Sequence, residues 1–268
     1  MKKLLPLTLI FIFSACLLTS CKKDKGDPPV LPPQESMTID FSNFASAKKS
    51  ADLISEQKGE NTDAWKSAAT VAGMWNLIIT TTLAVPVASF KLAFNQTPAY
   101  LDTKTWQWSY NVSVGSLTYK ARLTGQIRTS DVQWKMYIKE ESGATEYLWF
   151  EGTSKLDGKS GQWILNQSSK SPVAMLQIDW TKPVTTIGSI KYTYVKNDSF
   201  KNSYIEYGLT TGTLNAYYTI HYFNGLQFSD VNVEWNTSTK NGRVKSVDYP
   251  GDSNWYCWDA NKITIICQ

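Results

Sequence analysis

The chain has 268 residues, 42% hydrophobic and 19% charged, which is enough apolar content for one large or two small domains and too much for a disordered chain. Aromatic residues make up 13%, with 11 Trp and 14 Tyr, a composition that suits an aromatic-rich β protein and excludes a fibrous or low-complexity one. The formal net charge is +4, half of it from Lys2 and Lys3, and with no Lys/Arg cluster elsewhere the electrostatic footprint of a nucleic-acid binder is missing.

Lys2-Lys3 precedes an apolar run from Leu4 to Leu18, too short for an ordinary spanning helix and ordered as a signal peptide is: charged, apolar, then small residues. The run ends in Leu18-Thr19-Ser20-Cys21, which resembles the bacterial lipobox. The competing Phe13-Ser14-Ala15-Cys16 puts an aromatic residue where an aliphatic one is usual. The resemblance implies that residues 1–20 are removed and that Cys21 becomes an acylated N-terminus. Residues 21–40, polar and then Pro-rich through Pro28, Pro29, Pro32 and Pro33, read as an extended tether between bilayer and domain. Together these features resemble Bacteroidota-type outer-membrane lipoproteins. Lys22 stands where Asp would imply inner-membrane retention, so the outer membrane is expected, and both its periplasmic and its cell-surface face stay open.

Residues 41–100 are expected to be helical and to pack on the sheet that follows. Phe41, Phe44, Ala47, Ala51 and Ile54 recur every three or four positions, predicting a short amphipathic helix over 41–54. Asn61 or Thr62 can cap a second one, with Trp65, Ala68, Ala72, Trp75 and Ile79 on one face and Pro86 ending or kinking it. Residues 67–90 carry no charge and are nominally long enough to cross a bilayer. Their load of Ser, Thr, Asn and Pro favours a buried helix over a membrane span.

From Trp106 the period changes to two. Trp106, Trp108, Tyr110, Val112 and Val114 alternate with polar residues, and the pattern resumes from Leu117 and again from Val132. Further strands are expected near 146–154, 161–167, 173–182, 188–196, 203–209, 216–223, 230–236, 243–248, 254–258 and 262–267. Short connections such as Leu156-Asp157-Gly158-Lys159 join antiparallel neighbours. The expected fold is therefore mainly β over 101–268: an antiparallel meander forming a curved sheet, half-barrel or barrel, preceded by N-terminal helices that pack on or in it, the whole of 41–268 being one unit. A two-sheet sandwich fits the strands equally well but gives the helix no obvious place. The meander also resembles lipocalins and curved-sheet lipoprotein carriers in architecture, although a lipocalin Gly-x-Trp is absent.

The sequence offers little catalytic chemistry. His221 is the one histidine, without a Gly-x-Ser-x-Gly elbow, and one His cannot build a His-based metal site. Glu151, Asp179, Glu206 and Glu234 fall in expected strands, where glycosidase-type paired carboxylates compete with ordinary wet-face charges. No cofactor motif occurs. Cys257 and Cys267 form an even pair in an exported chain, which favours a disulfide over two buried thiols.

The aromatic face carrying Trp106, Trp108, Tyr110, Tyr119, Trp134 and Trp149 is the remaining candidate for binding. The leading expectation is a non-enzymatic protein tethered to the bilayer through acylated Cys21 that binds an apolar or amphiphilic ligand. A cell-surface glycan-binding module is the alternative, and a glycoside-hydrolase-like enzyme the third.

Overall fold

The computed structural model describes residues 25–44, 63–141, 143, 145–168, 171–182, 188–248 and 252–267. The signal peptide, Cys21, and most of the helix expected over 41–54 lie outside the described residues. One long helix, α1 (Asp63–Ala93), precedes the sheet. The expectation of several helices is corrected to a single one among the described residues, where two single 3-10 turns, Gln34–Met37 and Ser42–Phe44, stand before α1.

Among the described residues fourteen antiparallel strands follow in one sheet, and sequence order is spatial order throughout. They are β1 (Ala99–Tyr100), β2 (Thr105–Val114), β3 (Leu117–Ile127), β4 (Asp131–Glu140) and β5 (Tyr147–Lys155). Then come β6 (Ser160–Asn166), β7 (Ala174–Thr181), β8 (Ser189–Tyr194), β9 (Tyr204–Leu209) and β10 (Ala216–Phe223). The last four are β11 (Phe228–Trp235), β12 (Gly242–Ser246), β13 (Tyr256–Trp258) and β14 (Thr264–Ile265). Short hairpins dictate this order, as at Gly115-Ser116, where Gly115 takes φ +61° in a two-residue turn.

The sheet does not close on itself, but it curls. Helix α1 touches β2 and β3 near one end of the sheet and β12, β13 and β14 at the other. Its first turn meets the last hairpin, where the Ala64 N–H donates to Thr264 Oγ1 at 3.2 Å. Ala64, Ala68, Ala69 and Ala72 are all fully buried, small side chains that let the helix lie close on the sheet. By length and composition α1 could cross a membrane, but here one of its faces is buried within the protein. Pro86 neither ends the helix nor is exposed; it sits buried within α1. The turns beyond it are held by the sheet, since Phe90 packs edge-on against Phe150 and Trp163 and the Tyr110 hydroxyl donates to the Ser89 carbonyl at 2.5 Å.

Alternation along each strand puts large apolar side chains on the concave face and polar ones outside. In β4, Val132, Trp134, Met136 and Ile138 are buried while the residues between them are not. Four tryptophans of this face lie over glycines of the adjoining strand: Trp134 opposite Gly125, Trp163 opposite Gly152, Trp180 opposite Gly161 and Trp258 opposite Gly242. A Cβ at Gly152 would overlap the Trp163 ring and the Gln162 carbonyl, and one at Gly161 would overlap Trp180 and the Thr153 carbonyl. Each indole thus occupies the space its partner's missing side chain leaves on the inside of the bend.

The Pro-rich stretch behaves differently from a tether. From Pro29 onward it enters the domain as a strap across the concave face, with Met37, Ile39, Phe41 and Phe44 all buried. Val30 lies against the β5–β6 turn at Gly158, Ser36 Oγ accepts from Trp163 Nε1 at 3.2 Å, and the Asp40 carbonyl accepts the Tyr218 hydroxyl. Phe44 ends the strap among Trp65, Tyr218, Trp235 and Trp258, at ring separations of 5.2 to 6.5 Å. One rim of the curved sheet, the side of the β5–β6 and β7–β8 connections, is thereby covered by the chain's own N-terminal segment.

Cys257 and Cys267 are disulfide-bonded across β13 and β14, with Cα atoms 5.2 Å apart. Cys257 is opposite Ile265 in register, so the bridge is diagonal. Closing a loop of this separation contributes on the order of 2–3 kcal/mol in the chain-entropy picture. Reduction is expected to lower the unfolding free energy by that amount and to leave a single cooperative transition, because apart from Trp258 the concave core lies outside this hairpin; loss of the transition on reduction would show the last hairpin to be a keystone of the fold.

Candidate functional site

Of the six aromatics expected to bind a ligand, Trp108 and Trp134 are buried core residues with ring centroids 5.9 Å apart, and Trp134 Nε1 donates to Ser154 Oγ at 2.9 Å. Trp106 packs edge-on against Tyr100, while Tyr110 is spoken for by the Ser89 carbonyl of α1, burial raising its pKa further. Tyr119 and Trp149 cluster with Tyr147. The helix and its neighbours occupy this part of the concave face, so these rings pack against the protein itself.

The space that the fold leaves is farther along the sheet, beside the middle of α1. A cavity of about 690 Å3 opens between Met74, Trp75, Ile78 and Thr82 of α1 and the ends of β7 to β10, where Leu176, Tyr194 and Tyr222 stand. None of the six expected aromatics lines it. It lies toward the rim opposite the strap, the rim that carries the β8–β9 and β10–β11 connections, and Phe200 and Asn224 of those loops border it. Its size falls within the range of small-molecule sites, and its wall is mostly aliphatic and aromatic. A second space of about 330 Å3 runs between the strap and α1, and Ile79 contributes to both.

The helix supplies this wall because it is apolar almost all round. Its buried stripe holds it on the sheet, and the flank carrying Met74 and Ile78 stays 40% and 47% exposed. Leu77 on the helix, Phe200 in the β8–β9 connection and Leu226 in the β10–β11 connection are exposed at 63%, 52% and 92%. Leu226 follows Gly225 of the cavity wall, and Leu77 precedes Ile78, so these exposed side chains adjoin the lining in sequence.

Polar groups at the cavity are few and already oriented. The Tyr194 hydroxyl donates to Asp198 Oδ2 at 2.8 Å and the Tyr222 hydroxyl to Asp248 Oδ2 at 2.6 Å. Burial, then the carboxylate each phenol faces, pushes both up to about 12. Both therefore stay protonated at neutral pH. Ser203 Oγ accepts the Phe223 N–H at 3.3 Å, and the Asn224 side chain accepts from the Leu226 and Gln227 N–H groups.

The outer face is a lattice of satisfied charges. Asp179 accepts from Gln162 and Gln177, Glu206 accepts from Tyr217, and Arg243 donates twice to one oxygen of Glu234. Glu151 stands opposite Lys135 in register. Asp179 and Glu206 do border one shallow depression, but they sit two strands apart with Lys191 between them in register. Asp179 is moreover held by Gln162 and Gln177, and Glu206 by the Tyr217 hydroxyl. His221 bonds Asp230 through Nδ1 at 2.7 Å and is sandwiched between Tyr204 and Phe228 at centroid distances of 5.4 and 4.6 Å. In that outer row the ring faces are stacked on one another, and Lys191 lies over Tyr204 at 3.7 Å. A sugar ring would need those faces free.

No protein-family model, curated protein or solved structure matches the chain.

Proposed function

We propose that this protein is a non-enzymatic lipoprotein, held to the outer membrane through acylated Cys21, that binds an apolar or amphiphilic ligand between α1 and β7 to β10. The observation that carries the reading is the roughly 690 Å3 apolar cavity on the rim that the strap leaves uncovered. Burial of an acyl chain at about 25 cal/mol per Å2 supports affinity on the micromolar scale without a charged partner. The stacked outer row and the paired outer carboxylates weigh against the glycan-binding and hydrolase readings.

Thr82 is half-buried at the cavity wall on the helix. Thr82→Trp is expected to fill the space and weaken an alkyl-chain fluorescent probe at least tenfold, with the unfolding free energy within about 1 kcal/mol of the parent. A probe that binds the variant unchanged places the ligand elsewhere, and a parent that binds no alkyl probe ends the reading. For the anchor, Cys21→Ser is expected to move the protein from the membrane fraction to the soluble one. Mass spectrometry that finds an unmodified mature N-terminus at another residue would refute lipidation there. Stable anchoring requires more than one acyl chain, since a single chain holds only marginally.

A further inference from the structure

We propose that the ligand of this cavity carries a cationic head group, so that the class bound is an ammonium-bearing amphiphile and not a fatty acid. The inference rests on the cavity being the ligand site and specifies what that site selects. Five aromatic side chains line it: Trp75, Tyr194, Phe200, Tyr222 and Phe223. Aromatic faces carry negative potential and attract cations, most strongly where water is excluded. An apolar tail alone would be served as well by aliphatic walls.

Two of the five rings are tied to carboxylates. Tyr194 donates its only hydroxyl proton to Asp198 and Tyr222 donates its own to Asp248. Each phenol oxygen thus has only lone pairs left to offer a ligand. Donation to a carboxylate also makes the phenol ring more electron-rich. Asp198 and Asp248 are themselves exposed, which puts two negative charges beside the mouth and not in the wall. Among the described residues that line the cavity there is no Lys or Arg to meet an anion. The β8–β9 connection does carry Lys196 and Lys201, but neither borders the cavity, and the Lys201 ammonium points to the Asn197 side-chain oxygen at 3.5 Å. A carboxylate head at this mouth meets two carboxylates and acceptor oxygens, whereas an ammonium head meets a cluster of aromatic side chains, packed edge-on from Tyr194 through Phe200 to Phe223, together with acceptors and both aspartates.

The test titrates the full mature domain with three dodecyl probes below their micelle concentrations: dodecyltrimethylammonium, dodecanol and dodecanoate. The cationic probe is expected to bind about tenfold more tightly than dodecanoate, the size of effect that partly desolvated cation–aromatic contacts support. Asp198→Asn and Asp248→Asn, neither of which lines the cavity, are expected to bring the two within about threefold while dodecanol affinity stays put, a pattern that a purely structural role would not produce. Thr82→Trp should weaken all three, which shows that they share the cavity. Equal binding of the three probes, or tighter binding of dodecanoate, overturns the head-group inference and leaves the cavity reading intact. Binding of none of them overturns both.

Discussion

Phe44→Ala is expected to destabilise the protein by about 3–5 kcal/mol, the range for emptying a buried aromatic site, although Phe44 lies ahead of α1 and of every strand. Its ring is 3% exposed and touches Trp65 of α1, Tyr218 of β10, Trp235 of β11 and Trp258 of β13. Removing it leaves a void that four large rigid rings cannot easily close. Urea unfolding of the variant measures the loss. A change under about 1 kcal/mol would mean that the strap does not hold its place and that its rim is open in solution.

Stability is expected to fall steeply once the pH passes about 10. Tyr192 and Tyr218 lie buried on the concave face, and burial pushes both hydroxyls well above the ordinary tyrosine value, with Asp40 adding to the rise at Tyr218. Below the ordinary value folded and unfolded chains are both protonated there, and the stability is fully present. Above it the unfolded chain releases protons that the folded one keeps, so alkali favours unfolding. Each such group contributes at most about 1.4 kcal/mol per pH unit, and the two together about 3. Urea midpoints between about pH 9 and pH 11, read beside phenolate absorbance, check this. The Tyr192 hydroxyl has no hydrogen-bond partner among the described residues, so Tyr192→Phe should raise stability by about 1–3 kcal/mol at neutral pH and flatten the alkaline slope. A midpoint that does not move with pH would show these phenols ionising within the folded protein.

The meander was legible because alternation survives almost every strand. The expected segments from 106–114 to 262–267 find counterparts in β2 to β14 within a few residues, and only the two-residue β1 went unseen. The helix face was legible too, since Trp65, Ala68, Ala72, Trp75 and Ile79 are all buried. The strap was not. Its prolines suggest a solvated spacer, yet Met37, Ile39 and Phe41 alternate with Thr38 and Asp40 at the period of a half-buried extended chain. That was the available signal.

The cavity was illegible for a different reason. Trp75 and Ile79 were read as one core face, but the neighbouring flank of the same helix joins Tyr194, Phe200 and Tyr222, which stand at strand ends and in a connection. Nothing local distinguishes such a residue from core until the sheet's curvature is known. The curvature depends on cross-strand pairs such as Trp163 over Gly152, which exist only once register is set. The expected ligand face beginning at Trp106 and Trp108 has the right chemistry and the right periodicity, but the protein's own helix reaches that part of the sheet, as the Tyr110 to Ser89 contact records.

The strap and helix also impose an order on how the molecule can assemble. Ser36 waits for Trp163, 127 residues later; Asp40 waits for Tyr218, 178 later; Ala64 waits for Thr264, 200 later. Contacts this distant in sequence are slow to form, because a long loop must close before they repay it. A chain emerging N-terminus first therefore presents its most apolar helix and its aromatic-tipped strap long before their seats in β10 to β14 exist. During that interval the same surfaces that make the finished core are aggregation-prone, and the growing meander has an unpaired edge strand at every stage. The seat of the helix's first turn is therefore completed only when the last hairpin arrives.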